Sequence, residues 1–317
     1  MTDEAPSWRP SATRETLARR AALFADVRRF MAERGVMEVD TGVIGRAPPA
    51  ERGLDALSVA GAGWLAPSPE HALKRLLAAG SGAIYQLGHV FRAGESGRWH
   101  NPEFCMLEWY RPGARMADVV EETAALLAAV AGTSVVERVR YRDVFREHVG
   151  LDPLAAGPAA LARAADERGV APPGAPADSR VFWLDLLMSV VVQPRLGRNG
   201  PVCVSGFPAD DAVLVEIEPA DARISRRFEI YWQGVELANG AQELTDPERA
   251  RAAMARENEA REAAGAAPVP TDTALLAAMD HGLPASAGVA LGVDRLLALM
   301  LGHDGIGAVL PFAWARR

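Results

Sequence analysis

Residues 91–110 of this chain, FRAGESGRWHNPEFCMLEWY, put cations, hydrogen-bond donors and an aromatic ring at a spacing that suits a polyanion. They begin as an apolar strand and pass into a loop carrying Arg92, Glu95, Arg98, His100 and Asn101. They leave on an apolar–polar alternation through Phe104, Met106, Glu108 and Tyr110. Two strands joined by such a loop can hold a phosphate chain across a hairpin. Arg92 would neutralise a phosphate, and the Phe104 ring would stack on a base. Alone, the same residues also fit a solvated hairpin with a surface arginine.

Two further stretches carry chemistry. Residues 228–240, FEIYWQGVELANG, read as a hairpin turning at Gln233 and Gly234. A two-residue loop sets Trp232 opposite Val235 and Tyr231 opposite Glu236, so Glu229, Tyr231 and Glu236 share one face. Two carboxylates on one face repel unless a cation lies between them, which suits magnesium bridging phosphates; two solvated strand glutamates are the alternative. Asn239 has the opposite parity to Glu236, so a bulge is needed if both serve one site, and Gly240 would permit one. Residues 286–291 are a small-residue strand that lets a ligand approach the backbone. Arg295, opening the helix that follows with Asp294 as its cap, can set its guanidinium on a phosphate.

The elements that must position these groups are legible as patterns. Residues 14–34 form an amphipathic helix with Leu17, Ala21, Phe24, Val27 and Met31 on one face, ended by Gly35 and followed by a strand over 36–40. Residues 47–63 are a Pro/Gly/Ala-rich loop. Pro69 opens a helix through His71, Leu73, Leu76 and Leu77, and Glu70 at its start either favours the dipole or binds an ammonium. Helices are expected over 116–131, 141–149, 158–168, 183–192, 245–265 and 271–281, with a strand over 202–205. The 245–265 helix reads as a solvated outer face.

A net charge of −7 argues against a protein that coats nucleic acid. Two cysteines without a CxxC pattern fit a reducing compartment. The N-terminus lacks an apolar signal core and no run is apolar enough to span a bilayer, so the cytoplasm is expected. HExxH, GxxxxGK[ST] and GxSxG are all absent, so zinc-protease, P-loop and serine-hydrolase readings have no support.

The phenylalanine–arginine pair at 91–92, HNPEF at 100–104 and the glutamate–aromatic ending resemble motif 2 of class II aminoacyl-tRNA synthetases. GVALGVDRLL at 288–297 resembles motif 3, and the helix and strand over 14–40 resemble motif 1, the dimer-building element. ELANGAQELTD at 236–246 is similar to the substrate strand of lysyl-tRNA synthetases, and SPE at 68–70 with Lys74 and Arg75 fits that subgroup. The resemblance implies an α+β fold, an antiparallel β-sheet flanked by helices, forming one catalytic domain over 1–317. Residues 138–200 would be a helical connecting insertion. Only a short lead-in precedes motif 1, so no N-terminal anticodon-binding domain and no anticodon-type tRNA recognition are expected.

By the same resemblance, Arg92 and Arg295 bind the phosphates of ATP and supply the catalytic charge stabilisation. Glu95, His100, Asn101, Phe104, Glu236, Leu237 and Gly292 complete the nucleotide site, with Phe104 on adenine. Glu229 and Glu236 hold Mg2+. Ser68, Pro69, Glu70, Tyr110, Asn239, Glu243 and Ala290 line the amino-acid pocket, where Glu70 and Glu243 pair with the distal ammonium of a lysine-like side chain. A carboxylate is already ionised at neutral pH, so its attack on the α-phosphorus needs alignment rather than an enzyme base.

Three positions depart from the pattern. Gly42 stands where motif 1 usually has proline, and Gly94 where motif 2 usually has glutamate, a role passed to Glu95. Ala290 stands where lysyl-tRNA synthetases have glycine, and its methyl should disfavour α-lysine. Together with the missing domain, these features most resemble the elongation factor P–(R)-β-lysine ligases, homodimeric enzymes that transfer activated β-lysine to a lysine ε-amine of elongation factor P. A truncated lysyl-tRNA synthetase paralogue that makes lysyl-adenylate or charges tRNA is the second reading, and a non-catalytic amino-acid or nucleotide sensor the third.

Overall fold

The computed structural model describes residues 8–51, 54–133 and 137–316; the first seven residues of the polar lead-in and residues 52–53 of the 47–63 loop lie outside the described residues. Thr13 caps α1 (Arg14–Glu33) through its side chain, which accepts the Thr16 N–H at 3.2 Å, and Gly35 ends the helix in the left-handed region. The strand expected over 36–40 contracts to β1 (Met37–Glu38). Within the expected loop the chain makes a small sheet of β2 (Ile44–Gly45), β3 (Ser58–Val59) and β4 (Gly63–Leu65), in the order β2-β4-β3. Pro69 sits at the cap position of α2 (Glu70–Ala78).

Next come β5 (Ile84–Phe91), β6 (Glu103–Pro112), α3 (Met116–Ala131), β7 (Glu137–Arg140), α4 (Tyr141–Val149), α5 (Pro158–Asp166) and α6 (Arg180–Leu187). The last continues as a π-helical turn over Met188–Val192. After β8 (Val202–Ser205) follow the hairpin of β9 (Arg227–Trp232) and β10 (Val235–Gln242), then α7 (Pro247–Ala263), α8 (Thr273–Gly282), β11 (Ser286–Gly292) and α9 (Val293–Met300).

Among the described residues the large sheet has the order β1-β5-β6-β11-β10-β9-β8-β7. Its six central strands are antiparallel, as expected, but β1 and β7 join the edges in parallel. The sheet is therefore mixed, within an α+β fold.

Strand register assigns the two faces. One buries Tyr85, Leu87, Leu107, Trp109, Phe228, Ile230, Val289 and Leu291 against α1, α3 and α9. The opposite face is covered at one end by α2, α7 and α8, around Leu73, Leu77, Met254 and Leu275. At the other end it meets α4, α5 and α6, whose Phe145, Leu161 and Leu187 share a core with Val202, Val204 and Tyr231 of β8 and β9. Between these two covers the centre of that face stays open as a cleft.

Two local expectations are corrected. Asp294 does not cap α9; it is buried, accepts the Cys105 N–H at 2.7 Å and pairs with Arg20 of α1. The cap position is Gly292. The 245–265 helix is not a wholly solvated face, since Ala250, Ala253, Met254 and Glu257 of α7 are buried.

Gly240 lies on the core-side face, where a Cβ would stand 2.5 Å from the buried Phe228 ring and 2.6 Å from the Gly288 carbonyl oxygen. Neither neighbour can yield, since one is a packed aromatic and the other is backbone. Gly240→Ala should therefore cost about 1–3 kcal/mol by overpacking, read as a lower denaturant midpoint at unchanged m-value.

Candidate active site

Strand pairing builds the site. The β9–β10 turn has left-handed φ at both Gln233 (51°) and Gly234 (77°), the two-residue turn that matches strand twist. It sets Val235 opposite Trp232 and Glu236 opposite Tyr231, as the spacing requires. The register then slips between Glu236 and Ala238, so the bulge falls at Leu237 rather than at Gly240. That extra residue inverts the parity downstream and brings Asn239 opposite Glu229, onto the open face.

One row across the sheet now reads Glu229, Asn239, Ala290, Glu108 and Gln86, each directly opposite the next. The neighbouring row reads Arg227, Ala241, Gly288, Tyr110 and Ile84. All of these but Glu229, Gln86 and Ile84 line a cleft of about 400 Å³. Ser68 and Glu70 enter from the start of α2, Glu243 from the end of β10, and Arg92, Glu95, His100, Asn101 and Phe104 from the β5–β6 loop and its strand. Glu236, Leu237, Gly292 and Arg295 close the far wall. Fifteen of the sequence-derived site residues thus line one cleft. Pro69 does not, and caps α2 from behind. Glu229 does not line it either: its carboxylate is buried and bonded to Arg227 and the Tyr231 hydroxyl.

The cationic half is held ready. Arg295 donates to the Trp99 carbonyl oxygen at 3.2 Å and the Glu236 carbonyl oxygen at 3.0 Å, and its Nη2 meets His100 Nε2 at 2.9 Å. A guanidinium can only donate, so this Nε2 accepts and His100 is neutral. Burial and the adjacent Arg295 charge both hold the His100 imidazole below its ordinary range. Arg92 donates to the Pro67 carbonyl oxygen at 3.3 Å, meets Glu95 at 3.5 Å, and lies 5.2 Å from the centre of the Phe104 ring. Asn101 lines the cleft with its amide already engaged: Nδ2 donates to the Glu103 carbonyl oxygen, and Oδ1 accepts from Trp314 N–H.

The acidic half is organised by two residues that the sequence did not single out as site residues. Lys74, 1% exposed, sits 2.6 Å from Glu70 and 2.5 Å from Glu243. Glu108 is buried, with Ser68 Oγ and Tyr110 Oη each donating to it at 2.7 Å. Both were within reach of the pattern: Lys74 follows Glu70 by one helical turn, and Glu108 shares strand parity with Tyr110. Burial would discharge Lys74, but Glu243 and Glu70 outweigh it and hold the ammonium charged.

One ammonium cannot neutralise three carboxyls. Glu70, the most solvent-exposed of the three, stays below the usual carboxylate range: burial pushes it up, but Lys74 and His71 together outweigh that. Burial pushes the deeper Glu243 up to about 7 and, with Glu70 nearby, Glu108 up to about 8. Among the described residues this acidic end has one paired cation, Lys74, and demand for another.

Arg227, also unflagged in the sequence, donates to Asn239 Oδ1 at 3.1 Å and so turns the amide NH2 away from itself. Glu229 behind it is pushed up to about 7, chiefly by burial and further by the Glu236 charge, against the opposing pull of Arg227.

Glu108 gives a prediction on stability and binding together. Its folded pKa lies above its unfolded value, so the wild type loses stability as pH rises from about 4.5 to about 8 while the unfolded chain ionises first. Glu108→Gln should remove that loss. Its denaturant midpoint should exceed the wild type's by a margin that grows over this pH window, while its affinity for a cationic ligand falls. A margin independent of pH would contradict the assignment.

The comparisons with known proteins agree with this architecture. The family model for tRNA synthetases class II (D, K and N) matches residues 4–316. The chain is 44% identical to the elongation factor P–(R)-β-lysine ligase of Erwinia tasmaniensis, with 98% of each chain covered. It is 44% identical to the protein of that name from Histophilus somni, covering 96% of this chain and 97% of the other. To that of Yersinia enterocolitica it is 42% identical over 99% of both. The chain belongs to the class II tRNA synthetase family, among the elongation factor P–(R)-β-lysine ligases.

Proposed function

We propose that this protein is an ATP-dependent ligase. It would activate (R)-β-lysine, or lysine, as an aminoacyl-adenylate and pass the acyl group to a lysine ε-amine of elongation factor P. The observation that carries this reading is the charge balance of the cleft, with Arg92 and Arg295 at one end and Glu70, Glu108 and Glu243 around a single lysine at the other. A molecule bridging the two halves must be anionic at one end and cationic at the other, as ATP and a diamino acid are when laid head to tail.

In the first step the substrate carboxylate attacks the α-phosphorus and pyrophosphate leaves. Arg92 and Arg295 stabilise charge on the phosphates, and the Asn239 amide, turned by Arg227, offers a donor to the carboxylate. Magnesium would neutralise the phosphates, held by Glu236 with Glu229 behind it. The fit rests on the Glu236 carboxylate, which lines the cleft as a hard oxygen ligand, while Glu229, engaged by Arg227 and Tyr231, would add negative charge from behind. In the second step the acceptor amine attacks the acyl carbon and AMP leaves.

Ala290 lies between Asn239 and Glu108 on the pocket floor, so its methyl stands in the path between carboxylate and ammonium stations. A β-amino acid carries its inner amine one carbon further from the carboxylate and clears the methyl, while the distal amine stays at the chain end in both isomers. Exposed Met37, Val43 and Ile44 beside motif 1 support a homodimer built on that face. Among the described residues no helix is long and apolar enough to cross a membrane, and we place the protein in the cytoplasm as part of the same reading. The 138–200 segment as a connecting insertion within the catalytic domain belongs to it too.

Incubation with ATP, magnesium and radiolabelled β-lysine, offered both elongation factor P and bulk tRNA, tests the activity. Label should appear on the factor; label on tRNA alone would support the lysyl-tRNA synthetase paralogue instead. No exchange of pyrophosphate into ATP with either isomer would support the sensor. Ala290→Gly should raise the relative use of α-lysine about tenfold or more, measured as the ratio of kcat/KM for the two isomers in pyrophosphate exchange.

A further inference from the structure

Glu70 and Glu243 both line the cleft, whereas Lys74 does not. Its ammonium stands behind them and takes one oxygen of each, Oε1 of Glu70 and Oε2 of Glu243. The two carboxylates come from distant parts of the chain, the first turn of α2 and the residue after β10. Among the described residues Lys74 is the cation that joins them. Its stem is fixed in the core: α2 packs on α8 and on β5 and β6, with Leu73 and Leu77 buried on either side of it. The surrounding charges are few. Glu108 and Tyr110 face the pair from β6, and His71 lies beside Glu70, bonded at 3.0 Å to Asp272 at the start of α8.

We infer that Lys74 is a positioning residue for substrate selection. It clamps Glu70 and Glu243 from behind at one fixed separation, so that both present oxygens to the cationic side chain of the amino acid. The inference deepens the proposed activity and rests on it. Three close carboxyls without this lysine would share protons and present a neutral, adaptable pocket. A neutral pocket loses its preference for an ammonium over a methyl group of the same size. With the clamp in place, a neutral analogue leaves buried charge unpaired, and that is a large penalty. The lysine therefore raises affinity for a cation although it is itself a cation. It does so by favouring the ionised form of both carboxylates at the cost of one positive charge.

The test is pyrophosphate exchange by the full chain carrying Lys74→Met, with lysine isomers and their neutral isosteres in which a methyl replaces the distal ammonium. The KM for the diamino acid should rise about tenfold or more, with the KM for ATP unchanged and the preference over the neutral isostere largely lost. The acidic limb of kcat/KM should move to higher pH, because Glu70 and Glu243 then ionise later. Lys74→Ala covers the case in which the methionine variant does not fold: propylammonium should restore its diamino-acid KM, and propanol should not.

A Lys74→Met enzyme with wild-type amino-acid KM and an unmoved acidic limb would overturn the inference. So would losses falling equally on ATP and amino acid with selectivity intact and no amine rescue, since that is the behaviour of a merely structural lysine. If the wild type itself exchanges pyrophosphate with neither isomer, the proposed activity fails, and that outcome is separate from any result on the variants.

Discussion

The structure depends on a shortage of positive charge at one point on a sheet. Glu70, Glu108 and Glu243 converge there, and among the described residues the Lys74 ammonium, held between Glu70 and Glu243, is the cation that pairs with them. Removing three carboxyls from water is expensive, and a buried network left partly unsatisfied is worse than an apolar core of the same shape. A fold selected for stability alone would fill this place with leucines. The chain instead retains an arrangement completed by an incoming cation, so part of the binding free energy of that cation is stored in the empty protein.

Register makes this convergence possible. The Leu237 bulge brings Asn239 into line with Ala290 and Glu108, and without it the asparagine would face the apolar core. Small residues at 288, 290 and 292 keep the middle of the sheet low. A Cβ at Gly288 would lie 2.3 Å from the Tyr110 ring and 3.0 Å from Glu243, so the glycine leaves room for both. On the far face, Asp294 ties the backbone of β6 to Arg20 of α1, joining the three motif elements beneath the site.

Most of this was legible in the residues, for identifiable reasons. Helix α3 and strand β8 have the bounds that the pattern indicates, because their apolar periodicity is strong and turn signals flank them. The β9–β10 turn followed from Gln233-Gly234, where Gly234 adopts left-handed φ at little cost and the two-residue turn carries Gln233 into the same region. The two-residue edge strands were less legible, since pairs as short as Met37–Glu38 carry no alternation and form only because β5 offers an edge. The bulge was inferred from parity but misplaced, as glycine marks where a bulge is permitted and the register decides where it occurs. Asp294 was misjudged because a carboxylate at a helix start reads as a cap unless its distant partners, Arg20 and the Cys105 N–H, are known. Lys74 was noted as part of a motif but not as part of the site. A lysine on a helix is ordinarily a solvated charge; Glu70 one turn earlier is a local partner, but nothing local indicates the burial or the second partner, Glu243.

The central claim is that the floor of the cleft waits for a cation with its acids partly protonated. Isothermal calorimetry of diamino-acid binding, repeated near pH 7 in buffers of different ionisation enthalpy, counts the protons exchanged. Glu108, with its carboxyl pushed up to about 8, should give up its proton as the substrate ammonium arrives, so binding should release protons near neutrality and cease to do so at higher pH. Binding that exchanges no protons at either pH, or that is equally strong for an analogue lacking the distal ammonium, would contradict the account.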